Sequence, residues 1–280
     1  MQTLRAFCLA LAFLCLTVAS APIQWLAIRF RLRLQKTYPH GYHRFLTRML
    51  GIRVTVIGTP IQDRGVLMVA NHSGYFDILV MSAAAAVSFV AKSEVIHWPL
   101  FGLMAKLQRS VFIERSRRAT TGEARDMIRR RLLAGDALVL FPEGTTSDGN
   151  YVMTFKSALM GAAETELGTG PDGEPIHVPI QPVSISYVGM HGIPMGRENR
   201  PFYAWYGDMG LMSHLWEALK AGPLDVIVEF HPPLTAGPGR GRKQIAVLAE
   251  NAVREGHRRA LRGDWGGVPE GGKTAALSAA

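Results

Sequence analysis

Short apolar runs that alternate with helical patterns are the feature that most restricts how this chain can fold. Residues 66–69 and 137–141 are continuous apolar runs typical of buried strands, and residues 53–57 alternate like a strand. Helical spacing follows at residues 77–86 and 120–134. Because strands that alternate with helices favour a parallel sheet, we predict an α/β fold with a mainly parallel central sheet flanked by helices.

The second half of the chain carries more proline and glycine. We predict a helix over residues 155–166 and a loop over residues 168–175, which are rich in Gly and Pro. Residues 178–187 are typical of a strand, although they contain Pro179 and Pro182. Since proline donates no ladder hydrogen bond, this strand is expected at an edge or at a bulge.

The amino-terminal residues 6–28 contain no charge, and as a helix these 23 residues would extend about 35 Å, enough to span a bilayer. A break before Pro22 would instead give a shorter helix, partly embedded in the membrane or paired with residues 23–34. A signal peptide is a further alternative, since Arg5, the apolar core and residues 19–21 imitate its three regions. We expect an N-terminal membrane-associating helical segment.

Basic residues are more numerous after the apolar run than before it. Arg5 precedes the run, whereas Arg29, Arg31, Arg33 and Lys36 follow it. This bias predicts that the main domain lies in the cytoplasm, at the inner membrane. The net charge of +9 suits anionic membrane lipids, an acidic carrier protein or a phosphorylated ligand. The sequence contains no nucleic-acid-binding motif, so nucleic acid is not a predicted partner.

Composition divides the chain into three parts. Residues 1–50 form the apolar and basic membrane-associating segment, residues 51–262 the main domain, and the small, glycine-rich residues 263–280 a tail predicted to be disordered. Cys8 and Cys15 both lie in the apolar run. The main domain therefore has neither a disulfide nor a cysteine metal site.

His72 and Asp77 follow the apolar run 66–69 and are the candidate catalytic pair. Five residues separate them, which is wrong for one helical face, so His72 should precede a helix that has Asp77 in its first turns and Ser73 as a possible cap. Histidine can remove a proton from a hydroxyl, and a carboxylate on its other nitrogen would orient it. The alternative is a hydrogen-bonded strand-end histidine beside a helix-start charge.

Two further stretches follow strands at the same sheet edge. Residues 141–149 combine Pro, two Gly, hydroxyls and Glu143, which builds turns with exposed backbone donors. They lack the Gly-Lys-Ser/Thr order of a Walker loop. Residues 111–115 end on a charge pair, in which Arg115 could hold a phosphate or form part of a solvated basic loop.

Other chemistries are not indicated. His40 and His43 have a spacing that could bind a metal, but no cysteine or carboxylate is adjacent, so no metal site is predicted. The sequence has no Gly-x-Ser-x-Gly motif, which argues against a serine hydrolase.

In order and spacing, these stretches resemble the motifs of the glycerophospholipid acyltransferase family, which includes the 1-acylglycerol-3-phosphate acyltransferases. The first motif, Asn-His-x-x-x-x-Asp, matches residues 71–77, and the third, Phe-Pro-Glu-Gly-Thr, is residues 141–145 without change. The second motif is similar to residues 112–115 and the fourth to residues 178–183.

The resemblance implies that His72 takes the proton of a lysolipid hydroxyl, that Asp77 orients His72, and that the hydroxyl attacks an acyl thioester. Acyl-CoA or acyl-carrier protein would be the co-substrate, and no cofactor is implied. The implied substrate-binding residues are Asn71, Arg115, Glu143, Gly144, Thr145 and Lys156. We hypothesise that backbone amides after Ser73 stabilise the oxyanion.

Two acceptors stay open. Many lysophosphatidate acyltransferases carry arginine where this chain has Thr146, and Asp148 follows it; bacterial lyso-ornithine lipid acyltransferases look similar here and around residues 205–208. We slightly favour 1-acylglycerol-3-phosphate, giving phosphatidic acid, because Arg115 and the general basicity remain. Lyso-ornithine lipid is the alternative acceptor; an acyl hydrolase and a non-catalytic protein that binds anionic lipid are alternatives of other classes.

Overall fold

The computed structural model describes residues 1–114, 121–169, 173, 175–235, 241–264 and 275–276. The helices are α1 (Gln2–Arg29), α2 (Leu34–Leu50), α3 (Phe76–Ala84), α4 (Phe101–Leu107), α5 (Thr121–Leu133), α6 (Leu211–Ala221) and α7 (Arg242–Arg262), with 3₁₀ helices at Ser93–His97, Ser157–Glu164 and Arg200–Phe202. The strands are β1 (Ile52–Ile57), β2 (Val66–Ala70), β3 (Ser88–Lys92), β4 (Val111–Ile113), β5 (Ala137–Leu140), β6 (Glu166–Thr169), β7 (Pro175–His177), β8 (Ile180–Met190), β9 (Ile193–Pro194), β10 (Leu224–Phe230) and β11 (Ala275–Ala276).

One central sheet organises the described part of the chain, with the strand order β11-β1-β10-β8-β2-β5-β3-β4 and β9 paired with β8. The pairs from β8 through β2, β5 and β3 to β4 are parallel, and so is β1 with β10. The pairs β10 with β8, β8 with β9 and β1 with β11 are antiparallel. The predicted mixed α/β fold with a mainly parallel sheet flanked by helices is confirmed.

Strand β2 shows how the sequence divides the core into two layers. All five of its residues are buried, and successive side chains point to opposite faces. Val66, Met68 and Ala70 join a cluster with α2, α3 and α6, whereas Leu67 and Val69 join a cluster with α5 and α7. The continuous apolar run is therefore what a strand covered by helices on both faces requires.

Strand β8 lies in the middle of the sheet, between β10 and β2, so the edge position expected from its prolines is wrong. Pro179 precedes the strand, and its carbonyl accepts a hydrogen bond from the Leu67 amide. Pro182 lies inside the strand, and its carbonyl accepts from the His231 amide. The sheet thus uses the proline carbonyls, and the β10 pairing irregularity lies farther along β8, near Val188.

Two other expectations need correction. The predicted α-helix over residues 155–166 is a shorter 3₁₀ helix, Ser157–Glu164, followed by β6. Of the predicted loop over residues 168–175, positions 168, 169 and 175 are the ends of the antiparallel pair β6 and β7 instead, and residues 170–172 and 174 lie outside the described residues. Tertiary pairing has overridden the local turn composition at these positions.

Helix α1 runs through Pro22 without a break, so the alternative of a helix interrupted before Pro22 is wrong. It is long and apolar enough to cross a membrane. Its buried residues form one stripe of small and polar side chains: Ala6, Thr17, Ser20, Gln24 and Ala27. Large apolar side chains are exposed on its remaining surface, among them Leu4, Phe7, Leu11, Leu14, Val18 and Trp25.

Hydrogen bonds fix the polar stripe of α1 to the rest of the protein. Thr17 Oγ1 lies 2.7 Å from the Tyr42 hydroxyl on α2. The Gln24 side-chain amide donates to the carbonyls of Gln35 and Leu107, at 3.0 and 2.8 Å. Helix α1 therefore lies along the domain with its polar side inward.

Of the predicted tail, Asp264 follows α7 and β11 pairs with β1, while residues 265–274 and 277–280 lie outside the described residues.

Candidate active site

His72 and Asp77 meet at the carboxyl end of β2, as the five-residue spacing predicted. His72 Nδ1 lies 2.7 Å from Asp77 Oδ2, and Asp77 occupies the first turn of α3. Since an ionised carboxylate only accepts hydrogen bonds, this contact puts the proton on Nδ1 and leaves a lone pair on Nε2. The His72 side chain is 21% exposed, whereas Asp77 is fully buried. The arrangement offers a base to a substrate and keeps its orienting carboxylate away from water.

Asp77, rather than Ser73, caps the turn before α3. The backbone amides of Ser73 and Gly74 donate to Asp77 Oδ2 at 2.6 and 3.0 Å. Helix α3 begins at Phe76, and its N-cap residue Tyr75 makes no side-chain capping bond, so the predicted Ser73 cap is wrong. Of the amides after Ser73 that were suggested as oxyanion donors, the Gly74 amide is therefore already bonded to Asp77.

Aromatic stacking fixes the plane of the His72 ring. The Phe141 ring lies 4.0 Å from it at an interplanar angle of 12°, and Phe89 stacks at 6.3 Å on Phe141. Phe141 is the last residue of the apolar run 137–141, so the third motif supplies a wall for the base as well as a loop. A ring held between this wall and Asp77 keeps Nε2 in a defined direction.

Glu143 lies behind the site rather than at its surface. Its two carboxylate oxygens accept from the backbone amides of His72 and Met153, at 3.2 and 3.0 Å, and the side chain is buried. Burial raises the pKa of Glu143 to about 8, while the two amide donors act in the opposite direction. The geometry makes Glu143 a brace between the first and third motifs, and its predicted contact with substrate stays a prediction.

Gly144, Thr145 and Lys156 lie on the exposed side of the same loop. Gly144 has a φ of +76°, and a Cβ added there would come within 2.9 Å of Lys156 Nζ. Thr145 and Lys156 are both exposed. The ammonium of Lys156 is therefore a cation close to Gly144, and a ligand contact by these three residues stays a prediction.

The predicted site residue Asn71 is not part of this open surface. The buried Asn71 side chain donates to the Ile185 carbonyl at 2.9 Å and accepts from the Ile185 amide at 2.8 Å. It therefore extends the pairing of β2 with β8. Arg115 lies outside the described residues.

Tyr187 was missed by the sequence analysis. Its hydroxyl donates to Asp77 Oδ1 at 2.5 Å from the central strand β8. The only hint in the sequence is a tyrosine inside an otherwise small and aliphatic strand, since a buried tyrosine hydroxyl usually has a hydrogen-bond partner.

Comparison with known proteins places these residues in a family context. A family model described as "Acyltransferase" matches residues 53–186. A lyso-ornithine lipid O-acyltransferase from Brucella abortus is 43% identical over 252 residues, covering 90% of this chain and 93% of the relative. A 1-acyl-sn-glycerol-3-phosphate acyltransferase from Neisseria gonorrhoeae is 31% identical over 195 residues, covering 70% of each chain.

A solved structure has the same fold. The crystal structure of the 1-acyl-sn-glycerophosphate (LPA) acyltransferase PlsC from Thermotoga maritima matches with a TM-score of 0.64 and 24% identity, covering 95% of this chain and 99% of that one. At this identity the match supports the fold, and the sequence relatives carry the family assignment.

Proposed function

The chain belongs to the lysolipid acyltransferase family, and we propose that it acylates lyso-ornithine lipid with His72 as the general base. The observation that carries the proposed mechanism is the His72–Asp77 contact, in which the lone pair of Nε2 is free on a partly exposed ring. The enzyme transfers a fatty acyl group to the hydroxyl of a lysolipid.

The proposed reaction proceeds by direct attack. His72 Nε2 accepts the proton of the lysolipid hydroxyl as its oxygen bonds to the thioester carbonyl carbon, and Asp77 stabilises the imidazolium that forms. The carbon–sulfur bond then breaks, and the departing thiolate takes the proton from Nε2. The products are an ester and a free thiol, and His72 regains its starting protonation. General-base help of this kind contributes about 10²- to 10⁴-fold.

The surrounding residues divide into two proposed roles. Gly144 is partly exposed and Thr145 and Lys156 are exposed, and these three are the proposed contacts of the acceptor headgroup or the thioester donor. Asn71 and Glu143 are buried and hydrogen-bonded to backbone, so we assign them to positioning the loops. The sequence-based proposal that Arg115 binds the acceptor is kept.

Lyso-ornithine lipid is favoured over lysophosphatidate for two reasons. The relative of this name aligns over nearly the whole chain at higher identity than the glycerol-phosphate relative. Asp148 stands in the loop after the third motif, where its carboxylate accepts from the Asn150 amide. A negative charge here repels a phosphomonoester but not the ammonium of an ornithine headgroup.

Lysophosphatidate is the second candidate, because Lys156 offers one cation next to Gly144. The donor is proposed to be acyl-CoA or acyl-carrier protein, since both present the thioester that the mechanism needs. We further propose that residues 51–262 form the acyltransferase domain and that residues 1–50 attach it to the inner membrane with the domain on the cytoplasmic side.

The outward apolar surface of α1 supports that membrane attachment. Its polar stripe is hydrogen-bonded to the domain along the helix, so the leucine and aromatic side chains on the opposite side are left exposed. A helix of this kind fits partial burial in the plane of the membrane better than a perpendicular span.

The experiment is a product analysis with purified full-length protein in mixed micelles. Acyl-CoA and acyl-carrier protein donors are each offered to lyso-ornithine lipid and to lysophosphatidate, and products are identified by mass. We expect acylated ornithine lipid, at a kcat/KM at least tenfold above that for lysophosphatidate. The reverse preference would overturn the acceptor assignment. Equal release of free fatty acid with and without lysolipid would indicate a hydrolase.

A further inference from the structure

Asp77 has one oxygen that its neighbours in sequence do not serve. Oδ2 accepts from His72 Nδ1, the Ser73 amide and the Gly74 amide. Oδ1 faces the protein interior, where a carboxylate oxygen without a donor is costly. The Tyr187 hydroxyl supplies that donor at 2.5 Å.

The pairing of β8 with β2 places Tyr187 at this point. The parallel register pairs Ala70 with Val183, and the Asn71 side chain continues it to Ile185 through both backbone groups. Side chains two residues apart share one face of a strand, so Tyr187 follows Ile185 on the face that α3 covers. The strand that carries Tyr187 is therefore fastened to the residue directly before His72.

The phenol of Tyr187 is a permanent donor. Burial, and then the charge of Asp77, raise the pKa of Tyr187 well above its ordinary value, so the group keeps its proton throughout the working pH range. Its aromatic ring is packed in the core cluster with Phe76 and Val226. A rigid donor on a central strand prevents the carboxylate from rotating away from His72.

We propose that Tyr187 is a positioning residue, whose hydroxyl holds Asp77 Oδ1 so that Oδ2 keeps the Nδ1–H form of His72 aimed at the acceptor. The inference rests on the proposed role of His72 as the base. It adds a third member to the pair, supplied by β8, 110 residues away from Asp77.

Tyr187→Phe tests the proposal, with Tyr203→Phe as the matched control. Tyr203 is also buried, and its hydroxyl bonds to the Gly222 carbonyl at 3.3 Å. Both substitutions remove one oxygen and keep the ring. Initial rates are measured from pH 5.5 to 9 with the best acceptor and donor, and thermal unfolding checks that each variant is folded.

We expect Tyr187→Phe to lower kcat about tenfold, with KM values within twofold, because one hydrogen bond to a charged group is lost. The acid limb of its kcat/KM profile should move to higher pH, since a carboxylate relieved of the phenol donor favours a protonated imidazole more strongly. Tyr203→Phe should change neither the rate nor the profile, whatever its unfolding temperature.

The outcomes separate this proposal from the proposed function. If His72→Ala is inactive but Tyr187→Phe matches Tyr203→Phe in rate and profile, the positioning role is overturned and the base remains. If His72→Ala keeps full activity, the base assignment and the role of Tyr187 both fall. A fall in stability without a change in kcat or profile would make Tyr187 structural only and would also overturn the proposal.

Discussion

The two faces of β8 each support a histidine–carboxylate pair, and the two histidines differ in exposure, at 21% for His72 and 7% for His231. On the α3 face, Ile185 and Tyr187 brace the His72 site. On the α7 face, Ser184 Oγ lies 3.1 Å from His231 Nε2, and His231 Nδ1 lies 3.6 Å from Glu229. By residue type, the second group looks more like a nucleophilic triad than the first.

Access and saturation distinguish the two pairs. His231 is 7% exposed, and α7 closes over it so tightly that a Cβ at Gly256 would lie 2.4 Å from its ring. Glu229 bonds to Arg259 with the same oxygen that lies 3.6 Å from His231 Nδ1. Asp77 instead accepts four donors and holds a ring that opens outward. Residue types alone therefore do not tell an accessible histidine–carboxylate pair from a buried one.

The largest expected difference is in activity. His72→Ala should lower kcat/KM by about 10²- to 10⁴-fold, because the general base is lost. His231→Gln should keep kcat/KM within threefold per folded molecule, since the His231 ring is buried in the protein. Initial rates and unfolding curves on both variants check this. Inactivity of a folded His231→Gln variant would break the comparison.

The second difference is in acid stability. Burial lowers the pKa of His231 and of His257 to about 4. Between pH 6.5 and 4 the unfolded chain binds these protons and the folded chain does not, so the free energy of unfolding falls as the pH falls. His231→Gln should reduce the slope of the unfolding free energy against pH by the contribution of about one bound proton. Denaturant unfolding at a series of pH values measures the slope; an unchanged slope would contradict the assignment.

The smallest expected effect concerns the hydroxyl of the buried pair. Ser184→Ala removes one hydrogen bond and should cost about 1 kcal/mol of unfolding free energy. Activity should be unchanged, because acyl transfer at His72 needs no serine nucleophile. Chemical denaturation and initial rates are the measurements. A large loss of turnover would instead assign Ser184 to catalysis.

The sequence predicted correctly those features that depend on residues close together along the chain. The five-residue separation of His72 and Asp77 predicted a strand end followed by a helix start, and the structure has both. Buried apolar runs predicted β2 and β5. These features are decided by neighbours along the chain, so periodicity and spacing reveal them.

Long-range pairing accounts for what the sequence could not reveal. The partners of Asn71 and Asp77 on β8 are more than 100 residues away, and no local pattern links them. The turn-rich sequence around Glu143 suggests an exposed carboxylate, but the fold buries the side chain against two backbone amides. The prolines of β8 suggest an edge strand, but the strand order places β8 in the centre of the sheet.

The inward polar stripe of α1 has a consequence for anyone who wants a detergent-free enzyme. Cutting away residues 1–30 would strip partners from Tyr42 and from the Leu107 carbonyl and open the flank of α2 to water. Substituting exposed apolar residues is the better route: Leu4, Phe7 and Leu11 are replaced by glutamate or lysine, while Thr17 and Gln24 are kept. Solubility is therefore better improved by changing the exposed apolar side chains of α1 than by deleting the helix.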